Sequence, residues 1–211
     1  MKRLYRQQHL VDFMAVVMQF TRIKIKWSFF SDEAPDLKRA CWAFPLAGWL
    51  LGFIAGGLGQ ILILMDLPII LGCAIAIAFC IYLSGAYHED GLADMADGFG
   101  AGGDGRRISN IIHDSRLGTY GVSALSLAII VRVLLVSSLV ETGLWLCLIM
   151  GSGLAVGKGF VMINRRLFVV SEFAGTATVS FLGSNIRQIV CLLLWFLSLI
   201  HISEPTRQDS I

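Results

Sequence analysis

Four apolar blocks of roughly bilayer-spanning length, at residues 41–65, 69–87, 122–140 and 144–163, leave this chain few ways to fold. A helix needs about 20 predominantly apolar residues to cross the hydrocarbon of a bilayer. The 211 residues are 56% apolar and only 15% charged, where a soluble domain carries about 25% charged residues. That apolar excess is too large for one soluble core. The predicted class is all-α: a polytopic integral membrane helical bundle with a cytoplasmic acidic helix or loop segment, forming a single membrane-embedded domain over residues 1–200.

The first block is rich in glycine, and Gly52 and Gly56 form a G-x-x-x-G spacing that lets another helix approach closely. Asp66-Leu67-Pro68 and Glu141-Thr142-Gly143 read as tight turns. The short apolar run at residues 10–20 contains Asp12 and is followed by Arg22, Lys24 and Lys26. It reads as an interfacial helix, with a longer, tilted first span as the alternative. No small-residue cleavage site marks a signal peptide. Cys41, Cys73, Cys80, Cys147 and Cys191 all lie in apolar stretches, odd in number and without a C-x-x-C pair. They read as small buried hydrophobes, not as a disulfide framework or thiolate metal site.

The basic residues orient the chain. The N-terminal segment, the polar stretch 88–118 and the loop 164–188 all carry Lys or Arg, while the turns at Asp66 and Glu141 carry none. This alternation supports four spans and a cytoplasmic stretch 88–118. The last apolar run, 189–200, would reach only about 18 Å as a helix, so it reads as an incomplete span. The tail at 198–211 breaks off into polar sequence. It reads either as natural or, preferably, as translated adapter sequence, with a real C-terminal portion then missing.

Six acids lie in 88–118: Glu89, Asp90, Asp94, Asp97, Asp104 and Asp114. On a helix at about 100° per residue, Asp90, Asp94 and Asp97 point within an arc of about 60°. Carboxylates stacked on one face repel one another. Mg²⁺ is the natural neutralising partner, because it takes carboxylate oxygens and keeps positions open for phosphate. Gly91 and Gly98 would allow backbone or ligand to come close. The bland alternative is a solvated acidic loop. Against it stand the shared face, the position beside a membrane, and the nearby His113-Asp114-Ser115-Arg116.

Arg132 and Lys158 fall inside apolar blocks, where a charge usually faces a cavity or a partner. Lys158 is close enough to a block end to snorkel. Arg132 is not, and could meet an anionic substrate or one of the aspartates. His88 and His113 are weak signals alone. Asp104, between two glycines, reads as a turn residue.

The run Gly85-Ala86-Tyr87-His88-Glu89-Asp90-Gly91-Leu92-Ala93-Asp94-Met95-Ala96-Asp97-Gly98 resembles the signature of the cobalamin synthase family, the membrane-bound adenosylcobinamide-GDP ribazoletransferases. Asp114-Ser115-Arg116-Leu117-Gly118-Thr119-Tyr120-Gly121 resembles that family's second block, and Phe20-Thr21-Arg22 and Phe44-Pro45-Leu46-Ala47-Gly48 its N-terminal landmarks. The resemblance runs from about residue 9 to about 185. It implies a Mg²⁺-dependent transferase of the bacterial inner membrane that joins α-ribazole, or its 5′-phosphate, to adenosylcobinamide-GDP and releases GMP.

Such chemistry is a phosphoryl transfer, carried by positioning and charge neutralisation. The expected metal ligands are Asp90, Asp94 and Asp97, with Asp90 also taking the hydroxyl proton and His88 a further catalytic residue. Asp114, Ser115, Arg116, Arg132 and Lys158 are the expected substrate-binding residues. The expected partners are the small-molecule substrates and the lipid bilayer, without nucleic acid. A homo-oligomer is left open. Lys158 stands where the family pattern has Arg, and a late Gly-Asp element of that pattern is absent here. Two other classes compete. A transporter or channel would line a pathway with Arg132 and Lys158, yet no internal repeat is evident. A scaffold would recruit soluble partners through the acidic stretch.

Overall fold

The computed structural model describes residues 8–30, 32–114 and 116–167, with side chains to residue 161. Ser115, the run 189–200 and the tail 198–211 lie outside these described residues. Among the described residues every regular element is helical. The helices are α1 (Gln8–Phe20), α2 (Leu37–Ala40), α3 (Phe44–Leu64), α4 (Ile69–Ser84), α5 (Tyr87–Ala101), α6 (Gly105–Ile112), α7 (Thr119–Glu141) and α8 (Leu146–Leu167).

The glycines of α3 set the central packing. A β-carbon on Gly52 would strike the Met150 carbonyl oxygen of α8. One on Gly56 would stand 2.6 Å from the Leu146 carbonyl oxygen, and one on Gly48 2.7 Å from that of Leu154. Gly48, Gly52 and Gly56 therefore form a groove, one residue per turn, into which the α8 backbone settles. The expected G-x-x-x-G packing is real and extends one turn further. The third face of this core belongs to α4, where Cys73, Ala76 and Ile77 pack with Ala55, Leu146 and Met150.

Both basic-free turns sit at one end of the bundle. Asp66, at φ 67°, closes the turn between α3 and α4, and Gln60 Oε1 near the end of α3 accepts from the Leu146 N–H at 2.7 Å. A span glutamine thus satisfies one of the open donors at the start of α8. At the opposite end α1 packs on α2 and the start of α3, with Ala15, Val16, Phe20, Ala40, Ala43 and Phe44 forming a second core. Asp12 of α1 is buried and accepts from Arg39 Nε at 2.8 Å. A short helix on the protein, not a tilted first span, is what these residues form.

The expected spans need correction. Two helical runs, Leu37–Leu64 and Thr119–Glu141, are long and apolar enough to cross a membrane. The second block ends sooner than residue 87, because Gly85 takes the left-handed conformation at φ 68° and stops α4 at Ser84. The 16 residues of α4 pass as a span only together with α5, from which they are bent by 89°. Alone, α4 rises about 24 Å, less than a hydrocarbon core of about 30 Å. Helix α8 runs for 22 residues, Leu146–Leu167, and its described side chains are apolar but for Ser152 and Lys158. On α7 large apolar side chains such as Leu127, Ile130, Leu134 and Leu135 stay exposed, as a lipid-facing surface requires.

Candidate functional site

The acidic segment begins at an elbow. Gly85 and Ala86 are both left-handed, at φ 68° and 58°, and together they turn the chain out of α4 into α5. Arg22 holds the elbow from outside: its N–H donates to the Leu83 carbonyl at 2.8 Å and its guanidinium lies over the Tyr82 ring. With Glu89, Asp90, Asp94 and Asp97 in 15 residues, α5 is no spanning segment. Glu89 and Asp90 occupy its first turn, where the helix dipole favours negative charge.

One stripe of α5 is buried. Glu89, Ala93 and Asp97, spaced four apart, face α7, and Gly98 beside them is buried against α6. Asp97 caps α7: its Oδ2 accepts from the Gly118 N–H at 2.7 Å and its Oδ1 from the Gly121 N–H at 2.8 Å. A β-carbon on Gly121 would collide with that carboxylate, so glycine here makes the close approach possible. At the other end of the stripe Glu89 Oε1 accepts from Arg132 Nη1 at 2.9 Å. Helix α5 is thus fastened to α7 at both ends.

A third fastening runs to α8. Lys158 is buried at 3% exposure. Its stem passes over Gly48, whose β-carbon would lie 2.8 Å from Lys158 Cγ. The ammonium lies 3.6 Å from the centroid of the Phe20 ring and 2.5 Å from His88 Nε2. Desolvation of the His88 ring and the adjacent ammonium both push its pKa below the ordinary histidine value, favouring the neutral ring, whose Nδ1–H tautomer accepts from the ammonium at Nε2.

The open side of α5 carries Asp90, which is exposed, and Asp94, which is half-buried. Desolvation, then the charges of Asp90 and Asp97, push the Asp94 carboxyl above the usual carboxylate range, with His113 opposing. Nothing stands within 4 Å of a β-carbon on Gly91, whereas one on Gly98 would meet Ile112 of α6 at 2.7 Å. Only Gly98 serves a close approach. Asp104 is more than a turn residue, since its side chain accepts from the Arg107 N–H at 2.8 Å and starts α6. Beyond α6, Asp114 accepts from Arg116 Nη2 at 2.7 Å. This exposed pair holds the Asp114 carboxyl below its ordinary range through the Arg116 hydrogen bonds.

A family model described as Cobalamin-5-phosphate synthase matches residues 12–205. The chain belongs to the cobalamin-5-phosphate synthase family. Proteins named adenosylcobinamide-GDP ribazoletransferase are similar to it. That of Azorhizobium caulinodans is 36% identical over 160 residues, covering 74% of this chain and 61% of the relative. Those of Xanthobacter autotrophicus and Ralstonia pickettii are 37% and 38% identical, over 62% and 63% of this chain and 51% and 52% of theirs. The chain therefore spans between half and two thirds of the length of these relatives. No solved structure matches it.

Within this synthase-family chain the single aspartate face is divided. Asp97 sits at the margin of the arc and turns into α7, leaving Asp90 and Asp94 on the open side. Among the described residues no three His, Cys, Asp or Glu side chains form a group that could hold a metal ion by themselves. Arg132 meets Glu89 instead of an aspartate, and Lys158 meets His88 and Phe20. Both cations of the apolar helices thus have protein partners among the described residues. Glu89 was missed because it lies about 100° from Asp90 on the helical wheel. Its signal was the spacing Glu89, Ala93, Asp97, together with the need of Arg132 for a carboxylate.

Proposed function

We propose that this protein completes the nucleotide loop of cobalamin at a membrane. In this reading a hydroxyl of α-ribazole, or of its 5′-phosphate, attacks the cobinamide-bearing phosphorus of adenosylcobinamide-GDP. A new P–O bond forms, the bond to GMP breaks, the hydroxyl proton is lost and GMP departs. The observation that carries the reading is the open Asp90/Asp94 face of α5 in a chain of this family.

Asp90 and Asp94 fit Mg²⁺, which is typically held by one or two carboxylates with water and phosphate oxygens completing the shell. Desolvation, and then the charges of Asp90 and Asp97, raise the Asp94 carboxyl, and a cation would oppose both causes. Bound there, the ion would neutralise charge on the diphosphate. Asp97, with both oxygens accepting from α7, supports the face from behind. Asp90 is exposed on the same turn and takes the role of hydroxyl proton acceptor. Arg116, with a side chain 88% exposed and steadied by Asp114, is the basic group we assign to a phosphate oxygen. The α4–α5 elbow brings these groups to the end of the bundle opposite the basic-free turns. By the distribution of Lys and Arg that end is cytoplasmic, where soluble nucleotides are found.

The test is an assay of the protein in lipid nanodiscs with adenosylcobinamide-GDP and α-ribazole, following GMP and the corrinoid product by mass spectrometry. Turnover is expected with Mg²⁺ and not after chelation. Asp90→Asn should lower kcat by about 10²–10⁴-fold, as loss of a positioned acid or base does. Wild-type rates in that variant would remove Asp90 from the mechanism.

A further inference from the structure

Glu89 is 8% exposed and pairs with Arg132 across 43 residues of chain. Neither the proton transfer nor the metal site proposed above uses it. A buried carboxylate without a partner is strongly unfavourable, so this pair selects arrangements in which both members meet. It also fixes the rotation of α5. Relative to Asp90, the contacts to α7 lie at about −100° for Glu89, −60° for Ala93 and −20° for Asp97. Any rotation of α5 about its axis breaks the Glu89–Arg132 bond or the Asp97 cap. That rotation decides whether Asp90 and Asp94 face outward.

We propose that Glu89 and Arg132 are a positioning pair: Arg132 acts through Glu89 to hold the Asp90/Asp94 face open, and does not bind substrate. Three observations support this. The guanidinium nitrogen that reaches α5 is on Glu89 Oε1 and not on Asp90 or Asp94. Ala93, between the two fastenings, is 2% exposed, so the interface is closed along its length. A β-carbon on Gly121 would stand 3.0 Å from the Ala93 carbonyl oxygen, which leaves α5 and α7 no room to slide together differently.

The catalytic arm of the test rests on the proposed transferase reading, and the labelling arm does not. In nanodiscs, Ala93→Cys should react slowly with a water-soluble maleimide and Met95→Cys quickly, each measured above the parent chain. Adding Glu89→Gln or Arg132→Ala should raise Ala93→Cys labelling about fivefold, the change that a coupling of about 1 kcal/mol produces. Each variant should lower kcat by about a hundredfold, the scale of a 1 Å misplacement, with KM for both substrates within about twofold. The double variant should be no worse than either single one. The exchanged pair Glu89→Arg with Arg132→Glu should recover protection and part of the rate. Arg132→Ala with unchanged labelling and a KM for adenosylcobinamide-GDP raised about tenfold would make Arg132 a substrate residue and overturn the proposal. If wild-type protein shows no turnover, the transferase reading fails, and labelling alone decides whether the pair positions α5.

Discussion

Lys158 Nζ stands 2.5 Å from His88 Nε2, joining α8 to the first turn of α5 across seventy residues of sequence. The ammonium also lies over the Phe20 ring of α1, so three separate helices converge on one cation. Gly48 makes the passage possible by leaving room for the lysine stem.

Lys158→Met keeps the stem and removes the charge. It should forfeit the cation–π contact, about 1–2 kcal/mol for a desolvated site. The unfolding midpoint in detergent should fall by about 2–8 °C, following the scaling for a chain of this size. An unchanged midpoint would mean that the ammonium contributes nothing at this junction.

Asp97→Asn should destabilise the protein by about 1–2 kcal/mol, because an amide offers one oxygen where the carboxylate serves two N–H groups. Amide hydrogen exchange at Gly118 or Gly121 should speed up while the rest of α7 is unchanged. Gly121→Ala should cost about 1–3 kcal/mol by overpacking against the same carboxylate. If both variants unfold like wild type, the cap carries no stability.

The α3 groove offers a paired comparison. Gly52→Ala should destabilise by about 1–3 kcal/mol, since its β-carbon strikes the α8 backbone and the helices must part. Gly57 faces open space. Gly57→Ala should therefore be neutral or stabilising by up to about 1 kcal/mol, through helix propensity alone. Thermal unfolding of the two variants side by side measures the difference. Equal effects would show that the groove is not a close contact.

The Asp94 carboxyl is held above its ordinary range in the folded state. The folded protein then binds more protons than the unfolded chain between those two values, so stability falls as pH rises through that window. Asp94→Asn should be more stable than wild type at neutral pH without divalent ions, and the advantage should vanish below the carboxylate range. Added Mg²⁺ should narrow the gap at neutral pH by stabilising wild type. Unfolding midpoints at pH 3.5 and pH 7, with and without Mg²⁺, check both expectations, and a gap independent of pH would contradict the assignment.

The helical nature of the chain, its turns and its acidic helix are legible in the sequence because each rests on local periodicity. The arc holding Asp90, Asp94 and Asp97 follows from spacing alone. Which margin of the arc meets α7 does not, since that depends on a helix more than twenty residues away. Asp97 is lost from the open face for this reason, and Glu89 gained as a contact. Helix α6 is a different case. Its cap Asp104 and the helical spacing of Ile108, Ile111 and Ile112 are local signals, hidden by reading the glycines around Asp104 as a loop. The elbow is least legible, because Ala86 at φ 58° occupies a conformation that alanine rarely adopts.

That elbow has a consequence for how the protein is made. Helix α5, with its four acids, is synthesised before Arg132 and Lys158. Until α7 and α8 have packed against it, Glu89 has no cation, His88 has no ammonium, and Asp97 has no helix to cap. The elbow bends this acidic stretch by 89° out of the line of α4. The site is therefore assembled last, from parts translated at different times.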